Sequence, residues 1–542
     1  RLDDTMVRDI KRLVRFEPGV SVTSSFGRFG LGGFRIRGLD GNRVQIQTDG
    51  IPVSDAFAIG SFANANRNFV DLDTLKRVEI VRGPASSLYG SDALGGVVAF
   101  VTRDPADYLV DNKDAYFGLK SGYEGDWRGL SGGATAAFGG DRWSGMVALS
   151  QRQGQETRNQ GDNRSTGANR TASNPQDRDG SSVLAKLVFA PSDDQRLRLA
   201  AESNEDNTET DVLTSVNATT RSLLGDDSQK RKRVSLTHEM DAFGAALADS
   251  LDWQVYWQDS ETTQRTDELR TGNIRRQREF LFDQQVQGLQ ANFHKGLTTG
   301  SVTHEFTYGL DAARTRTEQL RNGLQTNLNT GVSSSTMLPD VFPVRDFPNS
   351  DTIEIGVYVQ DEMRLVDGRL SLIPGLRVDY YQLKPDVDAI FAADNPGVPV
   401  SDLDDTSVSP KFGAIWRFDD RWSIFGNYAH GFRAPPYNDV NLGFTNFQFG
   451  YTAIPNPDLK PETSDGIELG LRYVGAASYF GVSGYYNDYN DFIESFVNVG
   501  FNDQGLMVFQ SRNVADARIY GAELKAGVDF GALSDAWRGW SL

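Results

Sequence analysis

At 542 residues, with a net charge of −18 and no cysteine, the chain is too long for one ordinary hydrophobic core. It has no disulfides or thiolate metal sites, and it lacks the basic excess that a nucleic-acid partner requires. No stretch approaches the roughly 18 apolar residues of a membrane-spanning helix, yet 32 Phe, 18 Tyr, 8 Trp and 55 Gly suit one large architecture whose strands offer lipid only every second residue. The charge is uneven. Residues 1–105 hold 14 Lys+Arg against 12 Asp+Glu, and the remainder holds 41 against 61.

Residues 1–105 read as a compact mixed domain. Residues 7–16 have the spacing of a short amphipathic helix ended by Pro18-Gly19. Gly30-Leu31-Gly32-Gly33 is only superficially phosphate-like, since no helix follows it, and a turn is expected there. Residues 44–47 alternate as a strand, and Asp49-Gly50 supplies a tight turn. The most distinctive stretch is VEIVRGPASSLYGSDALGGVVAFVT at 78–102. Val78 and Ile80, then Val97, Ala99 and Val101, alternate as half-buried strands around the turn signals Gly83-Pro84, Gly90 and Gly95-Gly96. Asp104-Pro105 marks the domain boundary.

This stretch resembles the plug signature of TonB-dependent outer-membrane receptors. So do Phe34-Arg35-Ile36-Arg37-Gly38, Asn42-Arg43-Val44 and Asp49-Gly50-Ile51-Pro52, in the order the family has them. The resemblance implies an all-β transmembrane barrel of the 22-stranded type, residues 106–542, occluded by an N-terminal mixed α/β plug, residues 1–105. A slightly basic plug would sit in a strongly acidic barrel. The resemblance also implies a signal peptide and a TonB-contact segment before Arg1, and C-terminal strands beyond Leu542, because the family's barrels normally end on an aromatic residue.

From about Ala115 the pattern turns to alternating runs of roughly ten residues, about seventeen or eighteen of them, separated by alternately short and long polar gaps. In one hairpin Ile353, Ile355, Val357 and Val359 share a face against Glu354, Gly356, Tyr358 and Gln360. Asp367-Gly368 turns, and Leu370, Leu372, Leu376, Val378 and Tyr380 resume the pattern. The long gaps, at 153–182, 204–230, 316–351, 383–407 and 433–463, are expected to be loops. Asn163 and Asn169 match a glycosylation pattern, though a solvated loop explains them better. Asp402, Asp404 and Asp405 are a candidate calcium site or a plain solvated run.

Parity with the apolar neighbours Ile467, Leu469 and Leu471 turns Glu468 into the lumen, and Tyr520, Ala522 and Leu524 do the same for Glu523. In the family two plug arginines meet two barrel glutamates, and the matching positions are Arg37, Arg82, Glu468 and Glu523. Phe432-Arg433-Ala434-Pro435 and Asn456-Pro457-Asp458-Leu459 resemble the FRAP and NPDL boxes that bracket a haem-ligand loop in haem receptors. The family's usual histidine is absent from that loop, so Tyr451 and Tyr437 become the candidate haem-binding residues, with Tyr451 preferred as the ligand to the iron. His238, His294, His304 and His430 read as structural or interfacial.

No nucleophile motif, Walker loop or paired His–carboxylate spacing points to an enzyme. The resemblance implies active haem uptake across the bacterial outer membrane, with haem as transported ligand and no intrinsic cofactor. The implied partners are the TonB complex, haem or a haem-carrying host protein, and outer-membrane lipid, with no nucleic acid. The alternatives are a ferric-siderophore receptor of the same superfamily and, from a different class, a passive porin or adhesin.

Overall fold

The computed structural model describes residues 7–25, 27–59, 63–111, 113–446, 450–514, 516–532 and 534–540. Its N-terminal part is built on a four-stranded sheet in the order Ile51–Pro52, Val44–Thr48, Gly96–Thr102, Leu75–Arg82. Gly96–Thr102 runs parallel to Val44–Thr48 and antiparallel to Leu75–Arg82. Val98 and Phe100 give this central strand a second apolar face, so Val97, Val98, Ala99 and Phe100 are all buried rather than half-buried. One face packs with Phe34, Ile36, Val44, Ile46, Ile10 and Val14 into a single core, where each large side chain contributes about 1.5–3 kcal/mol. Gly96 has φ +144°, and a Cβ there would lie 2.3 Å from the Val81 carbonyl oxygen, so only glycine fits.

Two local expectations are corrected. The helix is only Ile10–Leu13, capped by the Asp9 carboxylate, which accepts from Arg12 N at 2.6 Å. Pro18 disfavours helix at Glu17, and the chain instead turns so that Arg37 N donates to the Gly19 carbonyl at 2.7 Å. Gly30–Ile36 is a strand, not a turn, and pairs with Val20–Ser25. Leu31, Phe34 and Ile36 supply enough apolar side chain to hold it there.

Around this plug the described residues form a barrel sheet of 17 strands, one of them only Ser333–Ser334. The first long strand is Ala115–Glu124 and the last Ala517–Val528. The hairpin Asn349–Leu365 and Leu370–Asp386 pairs Ile355 with Tyr380, Val357 with Val378 and Val359 with Leu376. The outward members Ile355, Val357, Leu376 and Val378 are exposed, as are Leu119, Leu469 and Leu524 elsewhere. An unbroken outward apolar face is what lipid demands.

The expected loops are shorter than their polarity suggested. Gln195–Asp211, Thr220–Met240 and Val302–Asn327 run on as strands through much of 204–230 and 316–351. Beyond the membrane both faces of a strand meet water, so the apolar alternation stops while the backbone ladder continues. Ile274–Thr299 and Val302–Asn327 each have 26 residues, against about 9–11 needed to cross a bilayer.

Candidate functional site

Three plug arginines meet three barrel glutamates on one flank. Arg37 Nε donates to Glu523 Oε1 at 2.9 Å, and its Nη2 donates to Glu523 Oε2 at 3.0 Å and to Glu468 Oε2 at 2.9 Å. The same guanidinium lies 3.6 Å from the centre of the Tyr485 ring. Arg82 Nη1 stands 3.1 Å from Glu523 Oε2 and donates to the Pro18 carbonyl. Burial alone would lower the Arg37 pKa, but Glu523 and Glu468 more than offset it and raise it above the ordinary value.

The third pair escaped sequence reasoning. Arg43 Nε donates to both oxygens of the fully buried Glu462, at 3.1 and 3.0 Å. Glu462 also accepts from Arg433 Nη1 at 3.1 Å and from Ile493 N at 2.8 Å. The signal was available: the parity that turns Glu468 inward also turns Glu462 inward, and Arg43 sits in a motif already recognised.

A second flank is held by amides. Gln258 Nε2 donates to the Pro52 carbonyl at 3.0 Å and Gln290 Nε2 to the Gly50 carbonyl at 2.9 Å. Gln284 exchanges two bonds with Asp55, and Gln264 two with the Asn64 backbone. At the edge of this flank Arg233 donates to Asp49 Oδ2 at 3.0 Å and to the Thr48 carbonyl. Burial would raise the Asp49 carboxyl, but Lys186, Arg233 and the Thr102 bonds hold it well below the usual carboxylate range.

Residues 432–435 fasten the barrel to the plug. Phe432 N donates to Ser86 Oγ at 3.0 Å, Ala434 N to Ser91 Oγ at 3.3 Å, and the Pro435 carbonyl accepts from Tyr381 at 3.3 Å. Asn456 Nδ2 donates to the Ser511 carbonyl at 2.8 Å, its Oδ1 accepts from Asp458 N, and Leu459 is buried. Pro457 lies within this turn. The box 456–459 thus ties its loop to the next one.

Between the boxes the two tyrosines part. Tyr437, in the helix Tyr437–Asn441, is buried 5.0 Å from Phe347 in a core that also takes in Phe57, Phe280 and Phe282, and its hydroxyl has no partner. Burial pushes its phenol well above the ordinary pKa. Tyr451 lies in a four-stranded outer sheet, Phe444–Asn446, Tyr451–Ile454, Met507–Asn513 and Ile493–Phe501, rather than in a free loop. Its half-buried ring is edge-on to Phe444 at 5.7 Å and Phe509 at 5.9 Å, and its hydroxyl accepts from Asn446 Nδ2 at 3.3 Å.

The four histidines are engaged on barrel strands, His304 with Asp361, His430 with Asp465, His294 with Thr307 and His238 with Gln195. Among the described residues no group of three or more His, Cys, Asp or Glu is placed to hold a metal ion, and Asp402, Asp404 and Asp405 make no exception.

Residues 1–97 match the TonB-dependent receptor plug domain, and residues 177–542 match the TonB dependent receptor-like β-barrel. The chain belongs to the TonB-dependent receptors. The receptor is 28% identical over 556 residues to Hemoglobin-haptoglobin utilization protein B of Neisseria meningitidis serogroup C, a match covering 91% of this chain and 66% of that protein. It is 35% identical over 217 residues to Hemoglobin-binding protein A of Haemophilus influenzae, covering 38% and 21%. The chain thus spans just under two thirds of the first relative and about a fifth of the second. Among solved structures, the Serratia marcescens hemophore receptor HasR, in complex with its hemophore HasA and heme, superposes with a TM-score of 0.74 at 18% identity, covering 97% of this chain and 78% of that one. The FrpB iron transporter of Neisseria meningitidis gives 0.74 at 18% identity, covering 98% and 77%. These structures share the fold. The receptor is an outer-membrane protein, and Leu469, Leu524 and Val357 are exposed on its barrel strands.

Proposed function

We propose that the receptor takes up haem, delivered by a haem-carrying host protein, and that TonB supplies the work. The similarity over nine tenths of the chain to a protein named for haemoglobin–haptoglobin use carries this reading. A plug fastened by desolvated ion pairs does not leave its barrel unaided, because each charge left behind costs roughly 3–5 kcal/mol. Nothing in this reading asks the receptor for catalysis. Tyr451 is the candidate ligand to the haem iron: it is partly exposed and flanked by Phe444 and Phe509, whose rings suit a planar porphyrin. Iron itself would displace the phenol proton.

Visible absorption of the purified protein with haemin tests the reading. A shifted Soret band is expected, with a tyrosinate charge-transfer band that Tyr451→Phe removes and Tyr437→Phe retains. An unchanged spectrum in Tyr451→Phe would make Tyr451 an ordinary packing residue. No Soret shift in the parent protein would favour a ferric siderophore as cargo.

A further inference from the structure

On the strand Ile274–Thr299, Arg276 and Arg278 continue the inward face of Phe280 and Phe282 beyond the aromatic core under the outer loops. On the neighbouring strand Ser250–Arg270, Glu268 and Arg270 share parity with Gln258, which reaches the plug, and so face the same way. Glu268 stands opposite Arg276 in register, 3.7 Å from Arg270 Nε and 3.5 Å from Arg278 Nη1, and accepts from Thr220 Oγ1 at 2.7 Å. Arg276 Nε donates to Gln325 Oε1 at 2.6 Å. Three guanidinium groups thus gather around one carboxylate, while Asp340 and Asp346 pair with Arg321 farther along the wall. Partial burial and the neighbouring Arg270 and Arg278 hold the Arg276 guanidinium below its ordinary pKa, against the pull of Glu268. The cluster keeps access to water, with the side chains of Arg270 and Arg278 25% and 24% exposed.

We propose that Arg270, Arg276 and Arg278 form a carboxylate-binding subsite in the mouth of the barrel, and that it takes the two propionate groups of haem and so sets the orientation of the ring on entry. Like charges crowded on one face of a sheet work against the fold, and an anionic ligand relieves that repulsion. Planar guanidinium groups bind carboxylates through paired N–H donors, and the excess of two positive charges over Glu268 matches a dianion. The other side of the mouth differs. In strand order this wall stands across the barrel from Glu462–Val474 and Ala517–Val528, whose preceding loops carry Tyr451 and the exposed Phe496 and Phe501. One side thus offers guanidinium groups and the other aromatic rings. Haem is apolar except along the edge that bears its propionates, so the mouth accepts it in one orientation, with that edge toward Arg276 and Arg278.

The subsite rests on the haem reading and fails separately from it. Binding to the purified receptor in detergent is followed by quenching of its tryptophan fluorescence with haemin, with iron-free protoporphyrin IX and with haemin dimethyl ester, whose carboxylates are masked. Arg276→Gln/Arg278→Gln removes two inward charges. Arg265→Gln/Arg275→Gln removes two outward ones, from side chains 58% and 46% exposed, and is the charge-matched control. The parent should bind haemin and protoporphyrin IX about tenfold more tightly than the diester. The inward pair should weaken both acids about tenfold and leave the diester unchanged, which also shows that the variant keeps its fold; the outward pair should change none of the three. Arg276→Gln alone, which leaves Arg278 beside Glu268, should weaken both acids about threefold and serves where the double variant does not fold. Equal affinity of the parent for acid and ester, a preference that survives in the inward variants, or the same loss in the outward pair overturns the subsite while haem uptake stands. A parent that binds none of the three probes overturns the haem reading and the subsite with it.

Discussion

The plug has two unlike flanks. Toward Glu462–Val474 and Ala517–Val528 it is held by guanidinium–carboxylate pairs out of water, with Arg37, Arg43 and Glu462 at the centre. Toward Ser250–Arg270 and Ile274–Thr299 it is held by glutamine amides reaching backbone carbonyls and Asp55. The difference lies in what happens when the plug moves. A neutral bond is exchanged for one to water at a net cost of about 0.5–1.5 kcal/mol, whereas a stranded buried charge costs roughly 3–5 kcal/mol. Contact for contact the ionic flank therefore holds the plug more firmly than the glutamines do, although Arg28 on Asp227 and Arg233 on Asp49 set buried ion pairs beside those glutamines too.

The largest expected effect tests that contrast directly. Glu462→Ala strands Arg43 and Arg433 and frees the Ile493 N–H, and should destabilise the protein in detergent by roughly 3–5 kcal/mol. Gln290→Ala removes one neutral bond beside a cavity that water can enter, and should cost about 1 kcal/mol. Thermal unfolding followed by circular dichroism measures both. Equal costs would erase the distinction between the flanks.

Asp92 sharpens the comparison because it stands 3.7 Å from Arg433 and also lines a cavity of about 220 Å³ between plug and barrel that Gln290 lines from the other flank. Burial and the neighbouring Asp55 push its carboxyl up to about 6, against the pull of Arg433 and Arg67. An acid raised by folding contributes stability that is present below its unfolded pKa and lost as pH rises through about 6. At pH 7.5 Asp92→Asn should therefore melt above the parent, and the gap should narrow as pH falls below about 6 and close only below the unfolded value of about 3.9. A gap that does not change with pH would mean that Asp92 is ionised throughout.

The ionic flank and the amide flank differ in legibility as they do in energy. Strand parity turns Glu468 and Glu523 inward because every second neighbour is apolar, and the structure sets both against Arg37. Glu462 obeys the same parity but stands at the strand's first position, where one side has no apolar neighbours to count from. The glutamines leave no trace: Gln258, Gln284 and Gln290 look like any polar lumen residue until the plug backbone is placed beside them. The strand extensions through 204–230 and 316–351 are equally silent, since alternation records a lipid boundary and not a hydrogen-bonded ladder. Tyr451 was read as a loop residue because its sheet is closed by Met507–Asn513, more than fifty residues on.

The smallest effect concerns the seal above both flanks, which uses neither charge nor amide. Tyr437 presses against Phe347, which in turn meets Phe57 of the plug edge-on at 5.2 Å. Its hydroxyl is buried without a partner, and burial keeps the phenol protonated far above its ordinary pKa. A buried hydroxyl in that position costs roughly 1–3 kcal/mol relative to a bonded one, while the ring supplies the packing. Tyr437→Phe keeps the ring and deletes the penalty, so unfolding should shift upward by about 1 kcal/mol. The sign is the informative part: a loss would show that the hydroxyl bonds to something when the loops close, and that the seal between Phe57 and the outer loops is not held by apolar contact alone.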